Sequence, residues 1–112
     1  MLTLDALRDY GANVDEGLHR CMNMEAFYLK LFDSLKGDTR VDDLKDALEA
    51  RDLDRAFEAA HALKGIYGNL SLTPLYHPIQ EMTELLRART DTDYTALMNE
   101  ILAQKKKLDA LL

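Results

Sequence analysis

Between Leu53 and Leu70 the apolar residues fall at spacings of three and four, at Leu53, Ala56, Ala60, Leu63, Tyr67 and Leu70. That period belongs to a helix with one buried stripe and does not fit the strict alternation of a half-buried strand. Asp52 stands directly before the stripe as an N-cap, and the helix nears its end at Asn69 or Leu70. Helical spacing returns in Phe27, Tyr28, Leu31, Phe32 and Leu35, in Val41, Leu44 and Leu48, and in Leu75, Ile79, Met82 and Leu86. Tyr94, Leu97, Ile101, Leu108 and Leu111 repeat at near-heptad spacing. No segment carries a strand signal, so the chain is expected to be all-α.

Local start and stop signals set the order of the helices. Thr3 caps a short helix that ends near Tyr10, with Gly11 as its C-terminal stop. Asn13-Val14-Asp15-Glu16 reads as a capping box with asparagine in the lead role, opening a second short helix. Asn23 caps a longer helix with a broad apolar face, which Gly37 ends. After Leu70 the chain turns, and Thr73-Pro74 supplies a cap and a first-turn proline. Pro78 either bends this helix or marks its true start, with His77 at the edge, because a proline beyond the first turn removes a backbone hydrogen bond. Asp91 or Thr92 caps the last helix. Four long helices with short connections imply an antiparallel four-helix bundle with additional short N-terminal helices. No Pro-, Gly- or Ser-rich linker interrupts residues 1–112, which are expected to form one domain.

Charge and composition remove several classes of function. A chain of 112 residues, 47% apolar, is long enough for a single core. Its net charge of −6 argues against a nucleic-acid surface, which needs clustered Lys and Arg. The one dense basic run, Lys105-Lys106-Lys107, is read as a solvated face complementing the dipole of a C-terminal helix. No apolar run approaches the ~18 residues of a membrane span, so no membrane insertion is expected. A basic segment followed by an apolar one is missing at the N-terminus, and Cys21 is the only cysteine; both agree with a cytoplasmic protein. Met1 favours a free-standing protein, and a monomer is expected. His19 and Cys21 are two residues apart and do not share a helix face, so no metal site is expected. No Ser-His-Asp set or phosphate-cradling glycine loop is visible, and autonomous kinase or hydrolase activity is not expected.

The chemistry concentrates in Ala60-His61-Ala62-Leu63-Lys64-Gly65-Ile66-Tyr67-Gly68-Asn69-Leu70. At ~100° per residue, Gly65 lies about 40° to one side of His61, Gly68 about 20° to the other, and Lys64 about 60° away. The imidazole thus stands on the wet face, beside one cation and clear of bulky neighbours. Each glycine costs a helix roughly 0.5–1 kcal/mol relative to alanine, so two of them near a histidine suggest a partner that approaches closely. A lone surface histidine is most often merely solvated; here the lysine at +3 and the glycine at +4 set it apart. The five methionines and the aromatic positions read as core filling.

The string His61-x-Leu63-Lys64-Gly65 followed by Asn69-Leu70-x-Leu72 resembles the phosphorylation-site motif of histidine-containing phosphotransfer (HPt) domains. Residues 17–28 resemble that family's opening helices, and 47–52 its connector ahead of the histidine helix. The resemblance implies a helical bundle that accepts a phosphoryl group on His61, with Lys64 stabilising the phosphate and Gly65 giving access. The implied partner is a receiver domain of a response regulator or hybrid histidine kinase, which brings the aspartate and Mg²⁺; the chain itself needs no cofactor. Gly65, Gly68, Gln80, Thr83 and Arg87 are the expected partner-facing residues. The family's imidazole-holding glutamine falls on Thr83 by gapless carry-over, with Gln80 one turn away as the substitute. Ile66 and Tyr67 are larger than is usual there, and Ser71 stands in place of a glycine. The alternative is a helical-bundle adaptor that carries no phosphate.

Overall fold

The computed structural model describes all residues 1–112. Seven α-helices follow one another: α1 Leu4–Tyr10, α2 Val14–Arg20, α3 Glu25–Leu31, α4 Arg40–Glu49, α5 Leu53–Asn69, α6 Thr73–Arg87 and α7 Thr95–Asp109, with a 3-10 turn at Phe32–Leu35 and no strand. Helix α5 packs on α4 and α6, and α7 closes the ring against α6 and α4. Short connections make successive members antiparallel, so α4–α7 are the four-helix bundle and α1–α3 the short N-terminal helices.

Several caps form as their local sequence demands. Thr3 accepts from the Ala6 amide at 3.1 Å, and Gly11 at φ 109° ends α1 in a left-handed conformation that favours glycine. Asp52 accepts from the Arg55 amide at 3.1 Å and starts α5. Asn13 accepts from the Glu16 amide at 3.2 Å, but the expected capping box closes on one side only. The Glu16 carboxylate accepts from Ser71 Oγ at 2.9 Å instead, while the Asn13 amide donates to the Ser71 carbonyl at 2.9 Å. Helix α2 is thereby fastened to the turn between α5 and α6.

Three boundaries differ from the expectation. Asn23 does not cap α3: it sits at φ 58°, with Met22 at φ 55°, and Met24 takes the cap position without a side-chain bond. The segment is also not one long helix, since it changes to 3-10 winding at Phe32. Tyr28, Phe32 and Leu35 form its buried stripe, and Phe27 (48% exposed) and Leu31 (37%), each one residue off that stripe, face solvent. Helix α6 begins at Thr73 with Leu72 as its cap and runs through the buried Pro78, which excludes a start at Pro78. Helix α7 begins at Thr95, and Asp93, not Asp91 or Thr92, accepts from its first amide at 2.9 Å.

The core joins Leu7, Tyr28, Phe32, Leu44, Leu63, Leu72, Leu75, Ile79, Met82, Leu86, Ile101 and Leu108, all essentially solvent-free. Tyr28 donates to the Leu70 carbonyl at 2.8 Å, and burial pushes its phenol up to about 12. Gly17 lets α2 lie against that ring, because a Cβ there would stand 2.5 Å from Tyr28 Cε1.

Candidate functional site around His61

Helix α5 turns Ala56, Ala60, Leu63 and Tyr67 into the core, and that inward stripe decides where the intervening residues go. His61, one residue past Ala60, is exposed, as is Gly65 one turn later. A Cβ placed on Gly65 would meet nothing within 4 Å, so the surface beside the imidazole is open. Ile66 is half-buried and packs on the core, and Tyr67 is buried with its phenol pushed up by desolvation. Neither large side chain crowds His61.

Side chains from α5 and α6 surround the histidine. The His61 ring stacks on Phe57, with centroids 5.7 Å apart and planes 14° from parallel. The guanidinium carbon of Arg87 lies 5.1 Å from the centroid of the same Phe57 ring. Arg87 Nε is 3.4 Å from Glu84 Oε2, and Lys64 Nζ is 3.6 Å from Glu84 Oε1. Lys64 is 26% exposed and Glu84 55%. Two cations thus share one solvated carboxylate, Glu84, while Glu58 stands exposed on α5 one turn before His61.

The expected residues do not all gather there. Thr83 is fully buried, and its hydroxyl donates to the Ile79 carbonyl at 2.7 Å. It therefore neither holds the imidazole nor faces a partner; the gapless carry-over places it on the inner side of α6. Gly68 is half-covered: a Cβ there would be 3.2 Å from Tyr76 Cε2, and its carbonyl accepts from Arg20. Close to the α5–α6 turn the two helices converge, so Gly68 serves their packing instead of an open approach. Gln80 is exposed and lines a shallow polar groove with His77, Glu81 and Glu84. Arg87 is exposed but already engaged within the chain by Glu84 and Phe57.

Phe57 and Glu84 are the site residues that sequence reading passed over. Phe57 precedes His61 by four, the spacing at which helix side chains meet, and that was the available signal. Glu84 follows Thr83 and precedes Arg87 by three, on the outward row of α6. No three His, Cys, Asp or Glu side chains converge where they could hold a metal ion. Ser71, where the family usually has glycine, is left-handed at φ 56°. Its hydroxyl compensates by accepting from Arg20 Nη1 at 3.2 Å and donating to Glu16.

No curated protein and no solved structure matches the chain. A family model, the Hpt domain, matches residues 35–112, which span α4–α7 and the whole surround of His61 and leave α1–α3 outside. A match over that much of the chain, on a helical bundle, shows the family: this chain belongs to the Hpt domain family, the phosphotransfer modules of two-component signalling.

Proposed function

We propose that the chain is a phosphorelay intermediate in which His61 accepts a phosphoryl group from the aspartate of a receiver domain and passes it on. The observation that carries this reading is the exposed imidazole beside the empty space at Gly65. A neutral imidazole is a competent nucleophile near physiological pH. Its nitrogen attacks phosphorus in line, the N–P bond forms, and the aspartate leaves as a carboxylate with the P–O electron pair. The partner supplies that aspartate and Mg²⁺. Lys64 comes to the transferring oxygens from its partly exposed pair with the solvated Glu84, and pairs open to solvent contribute only ~0–1 kcal/mol, so the exchange costs little. A phosphoryl group carrying more charge than one carboxylate out-competes Glu84.

On this reading the chain is a carrier with no kinase activity of its own, working as one cytoplasmic, monomeric unit on a receiver domain. Incubation with a phosphorylated receiver domain, followed by an assay for acid-labile, base-stable phosphate on this chain, tests it. Phosphate of that stability on the bundle is the expected result. Its absence, with the two proteins still binding one another, would assign the bundle to an adaptor.

A further inference from the structure

Helix α6 gives His61 no hydrogen bond in place of the one expected from Thr83, whose hydroxyl is buried on Ile79. An exposed histidine on a helix otherwise samples several rotamers, and each misaligned one is unproductive for an in-line attack. Something else must restrict the ring. Helix side chains lean toward the N-terminus, so His61 tilts over the preceding turn, where Phe57 stands. The two rings are 14° from parallel with centroids 5.7 Å apart, an offset stack that laps one edge of the imidazole face; the single lone pair of the unprotonated nitrogen lies in the ring plane and off the stack. Phe57 is itself half-buried and held by Arg87 from α6, and Glu84 holds Arg87 in turn.

We infer that Phe57 is a positioning residue, an aromatic plate braced from α6 by Arg87 that sets the plane of the His61 imidazole for phosphoryl transfer. The inference rests on His61 being the phosphoryl acceptor. It assigns to stacking the orienting role that a hydrogen-bonding side chain on α6 would otherwise take. Glu84 then serves both cations, fixing Arg87 against the plate and keeping Lys64 within reach of the ring.

A small donor separates positioning from docking, because it has no surface to dock. Phosphoramidate phosphorylates histidine directly: the imidazole nitrogen forms the new N–P bond, the donor's P–N bond breaks, and ammonia leaves with the proton. Phe57→Leu should slow phosphoramidate labelling about three- to tenfold, the rate equivalent of one aromatic stack. Phe57→Tyr, which keeps the stack, should restore it. With a phosphorylated receiver domain, Phe57→Leu should lower the rate at saturation and leave the half-saturating concentration unchanged. The His61 ring protons should move downfield in Phe57→Leu as the ring-current shielding disappears, which reports the stack itself, while rescue by Phe57→Tyr and the rate at saturation separate positioning from a merely structural role. Arg87→Gln, which leaves the core intact, should slow phosphoramidate labelling in the same direction by a smaller factor, and it carries the test if Phe57→Leu loses its helical circular dichroism.

Wild-type phosphoramidate rates in the variants, with unshifted His61 resonances, would overturn the inference. A loss confined to the half-saturating receiver concentration would also overturn it and assign Phe57 to docking. Failure of the underlying reading looks different, since labelling by the phosphorylated receiver domain would then persist in His61→Gln or be absent from the wild type.

Discussion

Gly65 and Gly68 look alike in the sequence and differ in space. A side chain at Gly65 projects into the open, whereas one at Gly68 meets Tyr76. Gly65→Gln should therefore raise stability by roughly 0.5–1 kcal/mol through helix propensity. It should nonetheless slow transfer from a receiver domain at least about tenfold, because the added side chain occupies the approach path. Denaturant midpoints and transfer rates measured side by side check that the two move in opposite directions. Lys64→Ala should shorten the lifetime of the phosphorylated chain, measured without partner, more than Arg87→Ala does, since Arg87 lies over Phe57 whereas Lys64 is the cation one turn from His61 and, on the proposed function, meets the phosphoryl oxygens. Equal lifetimes for wild type and Lys64→Ala would remove Lys64 from that role. The exposure of His61 beside Lys64 and Gly65 was legible because one helix carries all three at fixed angles. Thr83 was misplaced because its position depends on the rotation of α6, which nothing within α5 specifies.

Among the elements, the α5–α6 turn shows how a local rule is broken and compensated. Ser71 holds a left-handed conformation that costs a non-glycine residue about 1–2 kcal/mol, and its hydroxyl links Glu16 and Arg20 of α2. Ser71→Ala keeps the strain and loses the bonds, so it should destabilise by about 1–2 kcal/mol. Ser71→Gly relieves the strain as it loses them and should be nearer neutral; urea melts of the two variants give the order. Gly17→Ala drives a methyl into the Tyr28 ring and should cost about 1–3 kcal/mol, read in the same melts. Caps at Thr3, Asn13 and Asp52 could be read from sequence because a cap is settled within three or four residues. The outward turn of Phe27 and Leu31 could not, because the apolar face of that segment is wider than the surface the bundle covers, and periodicity does not say which side of it is left to solvent.

Across the whole molecule, tyrosines tie the short helices to the bundle. Tyr10 of α1 donates to the Gln104 carbonyl of α7 at 3.0 Å, and Tyr28 of α3 donates to the Leu70 carbonyl at 2.8 Å. Burial raises the pKa of both, and of Tyr67 in α5. Below the ordinary value of 10.0 these phenols are protonated in folded and unfolded chains alike, so their contribution is fully present and does not vary with pH. Above it the unfolded chain ionises first, and the stabilisation is lost as pH rises toward the folded value, about 12 for Tyr28. Denaturant midpoints should fall across that window, with tyrosinate absorbance rising as helical circular dichroism is lost. The order of α4–α7 was legible from apolar period and connection length, but the long helix expected after Asn23 is short and α4, expected to be the shorter one, completes the bundle; the bridges from α1 and α3 were not legible, since they join residues far apart in the chain. What this bundle holds in place is one histidine, and His61→Gln tests that most directly. Exposed to a phosphorylated receiver domain, the folded His61→Gln protein should take up no phosphate where wild type does. Labelling at the wild-type level, on His19 or His77, would contradict the account.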